Sequence, residues 1–169
     1  NEFVPSHSAA TFDLVSPVDE TVVGVSPISD AADVDKAVEA AAEAFTTWSK
    51  TTPSERQRCL LALADAVEEH AQELAEAQCA DTGQIVAMVT QEECLAGADQ
   101  FRFFAGAARM LNGLATGEYM AGHTSSIRRE PLGVIAQVAP WNYPLMMAVW
   151  KLGPAIAAGN TVAFKPSDT

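Results

Sequence analysis

Two hydrophobic periods alternate along this chain. Thr11 to Ser16 and Thr21 to Ser26 are short β-prone runs around Pro17-Val18-Asp19-Glu20, and they predict a hairpin or a pair of antiparallel strands. Such a pair needs a partner surface to be stable. Ser29 or Asp30 can cap the helix that follows. There Val34, Ala37, Val38, Ala41, Phe45 and Trp48 keep a period of about 3.6 residues and predict one buried stripe. Lys50-Thr51-Thr52 interrupts it. Thr52-Pro53-Ser54-Glu55 then starts a second helix: Thr52 caps, Pro53 fits the first turn, and Glu55 can bond back to the Thr52 N–H. Leu60, Leu63, Ala64 and Val67 form its apolar face. A further helix over about Ala71 to Ala80 uses Leu74, Ala75 and Cys79 or Gln78, and stops near Gly83.

A longer helical region covers roughly Thr90 to Leu111, with Cys94, Ala98, Phe101, Ala105 and Ala108 at three- and four-residue intervals. Phe101, Phe103 and Phe104 read as packing residues, and the small residues at 105–108 predict a close helix contact. Gly113, Gly117 and Gly122 mark a change to extended chain, where Glu118–Ala121 and Thr124–Glu130 can pair. Val134 to Asp168 is then a β-turn-α-β pattern. It has a β-prone run, a break at Pro140-Trp141-Asn142-Tyr143-Pro144, a helix ending at Gly159-Asn160, and a second run from Thr161 to Phe164. Neither run alternates, as expected for parallel strands covered on both faces. The fold class is therefore α/β: a helical layer, a small extended element, and the start of a parallel sheet that is incomplete. Two strands do not make such a sheet stable alone, so the pattern predicts further chain.

Composition narrows the picture. At 169 residues and 49% hydrophobic, the chain can bury a core and is not of disordered type. Cys59, Cys79 and Cys94 have no metal-ligand spacing, and their odd number favours a reducing, cytoplasmic setting over a disulfide framework. Cys59 and Cys94 fall near apolar stripes and read as buried packing residues. Lys151 and two prolines break the most apolar region, so no membrane span is predicted, and no secretory pattern is present. The chain begins at Asn1 without a Met, which predicts a natural start upstream. The net charge of −12 is uneven: residues 1–100 hold 19 acids and 4 bases, and residues 101–169 hold 3 acids and 6 bases. The acidic part makes nucleic acid a poor partner. The milder remainder is either ordinary surface variation or a face for a phosphate-bearing ligand or an acidic subunit surface.

Few residues stand out chemically. Asn142 is an amide in a proline-bracketed turn after a strand. It is either a turn or helix cap, or a donor to a developing oxyanion. Lys165 ends the second strand, at the edge where open parallel sheets bind ligands. It is either part of a surface pair with Asp168, or a donor to ribose or phosphate with Asp168 accepting from a hydroxyl. No GxGxxG or GxxxxGK[ST] occurs, and His7, His70 and His123 lie far apart.

Taken together, Gly133-Val134-Ile135, Pro140-Trp141-Asn142-Tyr143-Pro144, Lys151-Leu152-Gly153-Pro154-Ala155, Gly159-Asn160-Thr161 and Lys165-Pro166-Ser167 resemble the NAD(P)-dependent aldehyde dehydrogenase superfamily, in its N-terminal part. Phe101 through Arg109, with Gly117-Glu118-Tyr119 and Gly122-His123-Thr124-Ser125, resemble the branch acting on 4-aminobutyraldehyde, with betaine aldehyde dehydrogenases close by. The resemblance implies a Rossmann-like cofactor sheet and NAD, or NADP, as cofactor. It implies Asn142 as the side-chain oxyanion donor and Trp141 as a residue shaping the site. Ala139 and Pro140 would line the nicotinamide side, and Lys165 would contact the adenosine ribose. Asp168 stands where the family usually has Glu on the ribose hydroxyls. The resemblance divides the chain into residues 1–116, an oligomerisation element at 117–132 that gives Arg128 and Arg129 a purpose, and the β-α-β unit at 133–169. The whole enzyme would be a homodimer or homotetramer. The family's nucleophilic cysteine and general-base glutamate match nothing here, so the expectation is that this chain alone is inactive. A non-catalytic folding or interaction fragment, and a homologue lacking the cysteine, are the alternatives.

Overall fold

The computed structural model describes residues 3–114 and 116–167. Strands β1 (Thr11–Val15) and β2 (Val22–Pro27) pair antiparallel as expected. Helix α1 spans Ala31–Trp48. Asp30 caps it, accepting from the N–H groups of Ala32 and Asp33, and the Asp33 carboxylate returns the bond to the Asp30 N–H. Helix α2 spans Pro53–Glu69, with the Thr52–Glu55 capping box and Pro53 in its first turn. Helix α3 (Ala71–Thr82) ends at Gly83, whose φ of 71° is a left-handed cap that a side chain would strain.

The long helical region is less uniform than its period predicts. It begins with α4 (Val86–Val89), passes through a π-helical segment Thr90–Leu95, continues as α5 (Ala96–Ala107), and closes with a 3₁₀ turn Ala108–Met110. Its predicted stripe is buried throughout: Cys94, Ala98, Ala105 and Ala108 are all fully covered, and Phe101 nearly so. These residues pack with Leu60, Ala64 and Val67 of α2 and with Ala75 and Cys79 of α3. Gly97 lets α5 approach Val149, and Gly153 lets its helix approach Phe104. The Arg102 guanidinium bridges Asp65 and Glu68 on α2.

Strands β3 (Gly117–Met120) and β4 (His123–Ser125) form a small hairpin, the second strand shorter than expected. Strands β5 (Val134–Val138) and β6 (Thr161–Lys165) are parallel and in register from Val134–Thr161 to Val138–Lys165. The connecting helix is α6 (Pro144–Ala157), which ends near Gly159 in the left-handed region. Asn160 is buried. Its side-chain oxygen accepts from the N–H groups of Leu132 (2.7 Å) and Gly133 (3.1 Å), pinning the entry of β5 beside the entry of β6.

Four further expectations differ from the structure. In the α1 stripe only Ala41 is buried; Val34 and Val38 are exposed, because α1 meets the sheet through its later turns, where Thr161 Oγ1 donates to the Ala41 carbonyl at 2.8 Å. The parallel strands are half-buried rather than covered on both faces, because each has one neighbour among the described residues and Val138 is open. Cys59 is exposed on α2, since it lies off the Leu60–Ala64–Val67 face. Phe103 and Gly106 point outward, so only part of the aromatic and small-residue cluster packs; Phe103 instead meets Phe104 edge-on at 5.3 Å.

Candidate active site

The chain reversal between β5 and α6 builds the site. Ala139, which is buried, donates its N–H to the Lys165 carbonyl at 3.0 Å and so extends the parallel ladder beyond β5. Pro140, Trp141 and Asn142 then leave the sheet as exposed chain. Tyr143 adopts φ 59° and ψ 55°, a left-handed conformation that costs an L-residue about 1–2 kcal/mol. That turn lets Pro144 begin α6 at once with a φ already suited to helix.

Asn142 does not cap this helix; Tyr143 occupies the cap position and provides no side-chain bond. Among the described residues the Asn142 amide has no hydrogen-bond partner. It borders a cleft of about 460 Å³ with Trp141 and Tyr143, closed by Pro17 of the β1–β2 turn and by Asp81, Thr82 and Gln84 at the end of α3. Trp141 is two-thirds exposed.

The first free N–H groups of α6 are met from a distance. Gln78 Oε1 accepts from Leu145 N and Glu93 Oε2 accepts from Met146 N, each at 3.3 Å. Glu93 is buried in the π-helical segment and also accepts from Gln78 Nε2 (2.7 Å) and Gln84 Nε2 (3.2 Å). The sequence pattern places Gln78 only as an alternative to Cys79 on the α3 stripe and gives Gln84 and Glu93 no role. A signal was present: Glu93 lies four residues before Gly97 and eight before Phe101, on the buried stripe, where a carboxylate needs dedicated partners.

Lys165 pairs with Val138 in the register and is exposed at the C-terminal edge of the sheet, where its Nζ donates to the Pro166 carbonyl at 3.0 Å. The structure thus brings Ala139 and Lys165 together at one edge, and Trp141 and Asn142 together at one cleft. Ala139, Pro140 and Lys165 do not line that cleft. Asp168 lies outside the described residues.

The two buried cysteines lack an activated setting. Burial first, and the Glu93 carboxylate second, push the Cys79 and Cys94 thiols up, away from thiolate. Cys94 Sγ donates to the Ala71 carbonyl at 3.4 Å. His7 and His70 pair with surface carboxylates, and no cluster of metal-ligating side chains exists among the described residues.

The family model described as "Aldehyde dehydrogenase family" matches residues 3–169. The chain belongs to the aldehyde dehydrogenase family. It is 41% identical over 167 residues to the acetaldehyde dehydrogenase of Pseudomonas aeruginosa, which covers 99% of this chain and 33% of that protein. Its fold superposes on a putative aldehyde dehydrogenase from Burkholderia cenocepacia with a TM-score of 0.93 at 41% identity, covering 98% of this chain and 34% of that one. The structure of PnpE in complex with nicotinamide adenine dinucleotide gives a TM-score of 0.92 at 41% identity, with 96% and 33% covered. This aldehyde dehydrogenase chain therefore spans about a third of the length of these relatives. Family membership bears out the resemblance carried by the Pro140–Pro144 turn and its flanks. The branch within the family is a separate matter.

Proposed function

We propose that this chain is the N-terminal part of an NAD-dependent aldehyde dehydrogenase and supplies one wall of its active site. The observation carrying this reading is the Asn142 amide, held on a strained turn at the mouth of a cleft and without a hydrogen-bond partner among the described residues. When a thiolate adds to an aldehyde, the carbonyl oxygen gains a full negative charge. A fixed N–H donor stabilises that charge without having to reorganise. Asn142 also stands two residues before α6, whose N-terminal dipole favours a nearby anion. Trp141 forms the adjoining wall. The nucleophilic cysteine, whose backbone N–H is the second oxyanion donor, and the glutamate that activates water on the thioester would come from elsewhere in the complete gene product.

The sheet edge suits a dinucleotide. Val138 and Pro140 leave it open and apolar, the small Ala139 side chain intrudes little, and Lys165 is a long donor at its end. Ala139 and Pro140 would face the nicotinamide, Lys165 the adenosine ribose, and Asp168 the ribose hydroxyls. Bound there, NAD would supply the hydride acceptor. The shorter Asp168 leaves NADP as the second candidate.

The substrate proposed is 4-aminobutyraldehyde, with betaine aldehyde as the alternative. A second cleft of about 250 Å³ shares Gln84 and Tyr143 with the first and is lined by Met88, Glu92 and Glu93. The exposed Glu92 carboxylate in a cleft shared with the Tyr143 ring suits an alkylammonium group. Residues 1–116 would form the helical part of the cofactor domain, 117–132 an oligomerisation element, and 133–169 its first β-α-β unit. Support for an assembly role is the exposed apolar surface of Tyr119 and Met120 on β3; a homodimer or homotetramer would cover it, with Arg128 and Arg129 in the same element. Three free thiols fit a cytoplasmic setting.

Aldehyde-dependent NADH formation tests the proposal. The complete gene product is expected to oxidise 4-aminobutyraldehyde to the acid, and the isolated 169-residue chain to give none. No turnover by the complete gene product across a panel of aldehydes contradicts the enzymatic reading. Turnover by the isolated chain contradicts the division of catalytic groups.

A further inference from the structure

Helix α6 starts without a local cap, and its first turn is tied down by a buried carboxylate instead. Pro144 has no N–H to satisfy, and Tyr143 offers no side-chain acceptor, so Leu145 and Met146 present the first orphan donors. Both are met by side chains more than fifty residues away in sequence: Gln78 for Leu145 and Glu93 for Met146. Gln78 also donates to Glu93, so the two acceptors are locked to each other. Gln84 donates to Glu93 as well, and accepts from Thr82 Oγ1 (2.9 Å) and Gln78 Nε2 (2.8 Å). The carboxylate thus collects three donors at the positive end of a fourteen-residue helix. Glu93 lies within the π-helical Thr90–Leu95 segment, a local widening of the helix.

We infer that Glu93 is a positioning residue for Asn142: with Gln78, it holds the first turn of α6 and thereby the Asn142–Tyr143 reversal immediately before it. The catalytic consequence rests on the proposed oxyanion role of Asn142. The anchoring itself does not. The link is mechanical. Tyr143 sits in a sparsely populated conformation, and a strained residue persists only where its surroundings over-determine it. Pro140 and Pro144 limit the turn from both sides, and the Leu145 and Met146 bonds fix the direction in which the turn is delivered. Release of those bonds lets Tyr143 relax and swings the neighbouring amide away from its aim.

Glu93→Gln isolates this function because it keeps the shape. One oxygen becomes an NH₂ group. The Met146 N–H cannot reverse, so the remaining oxygen must face it and the NH₂ must face Gln78 and Gln84. Gln78 can turn its own oxygen toward that NH₂ only by abandoning Leu145. Every arrangement therefore leaves one donor unmatched.

The test is made in the complete gene product, by amide hydrogen exchange at Leu145 and Met146 and by steady-state kinetics. In Glu93→Gln the Met146 N–H faces a neutral oxygen and the Leu145 N–H competes with the new NH₂ for Gln78, so exchange at these two amides is expected to speed up about tenfold. The kcat is expected to fall by about 10- to 100-fold, with the KM for NAD changed by less than about twofold. Glu73→Gln, on the exposed face of α3, is expected to leave both readouts at the wild-type level. Gln78→Met removes the Leu145 acceptor without touching the charge and is expected to shift both readouts in the same direction, less strongly. It decides the matter if Glu93→Gln does not accumulate as folded protein. Unchanged exchange at Leu145 and Met146 overturns the anchoring. Faster exchange with unchanged kcat overturns the positioning role. If the wild-type protein oxidises no aldehyde, the functional reading fails, and exchange alone still decides whether Glu93 anchors α6.

Discussion

Replacing Asn160 with alanine removes the clamp that holds the entries of β5 and β6 side by side. Its side-chain oxygen accepts two backbone N–H groups, Leu132 at 2.7 Å and Gly133 at 3.1 Å, and its Nδ2 reaches the Ala155 carbonyl only at 3.4 Å. A buried donor left without a partner costs about 1–3 kcal/mol. Leu132 is 90% exposed, so water can replace its bond cheaply; Gly133 is half-buried and is charged nearer the full amount. Counting about 0.5–1 kcal/mol for Leu132, about 1–2 kcal/mol for Gly133 and little for the long Nδ2 contact gives a loss of about 1.5–3 kcal/mol. For a chain of this size that corresponds to a fall in Tm of roughly 5–10 °C. Urea unfolding of the 169-residue chain followed by circular dichroism measures it. Asn160→Asp keeps both acceptor bonds but buries a carboxylate and turns an oxygen toward the Ala155 carbonyl, so it is expected to recover only part of the alanine loss, and more of it at low pH, where the carboxyl is protonated. An alanine variant within about 0.5 kcal/mol of wild type refutes the clamp.

Other outcomes follow from the same geometry. The Ser6 hydroxyl first, and the His7 N–H second, hold the Asp33 carboxyl down from its ordinary 3.8 to about 2. A depressed carboxyl stabilises the fold fully above 3.8 and loses that contribution as pH falls toward about 2, so an NMR titration of Asp33 should show its midpoint near 2, and Asp33→Asn should remove this part of the acid dependence. A midpoint at 3.8 contradicts the bonds to Ser6 and His7. Iodoacetamide on the native chain should alkylate the exposed Cys59 and spare Cys79 and Cys94, whose thiols are buried and pushed up; equal labelling of all three, read by peptide mass spectrometry, contradicts that packing.

Much of the fold is legible in the residues because local signals and burial agree. Thr52-Pro53-Ser54-Glu55 carries its own cap, Gly83 its own stop, and the stripe from Cys94 to Ala108 its own periodicity, and each forms as its chemistry dictates. The reading fails where burial depends on what lies opposite. Val34 and Val38 carry the period of a core stripe, yet α1 meets the sheet only farther along, and periodicity alone cannot say how far a neighbouring layer extends. The start of α6 shows a different gap. Pro144 marks the helix, but nothing local reveals that its donors are satisfied by Gln78 and Glu93, because those bonds close loops of 67 and 53 residues. Asn160, read only as a helix stop, holds two strands together for the same reason. At the site, Asn142 stood out as an amide in a constrained turn; the fold adds that it is not a cap and that it borders a cleft.

The Asn142→Ala variant of the complete gene product, assayed for NADH formation from aldehyde, tests the central claim most directly. Asn142 is exposed and bonded to nothing among the described residues, so the substitution should leave Tm and the KM for NAD near their wild-type values. Loss of one oxyanion donor should lower kcat by about 10²- to 10³-fold. A variant that turns over at the wild-type rate contradicts the assignment.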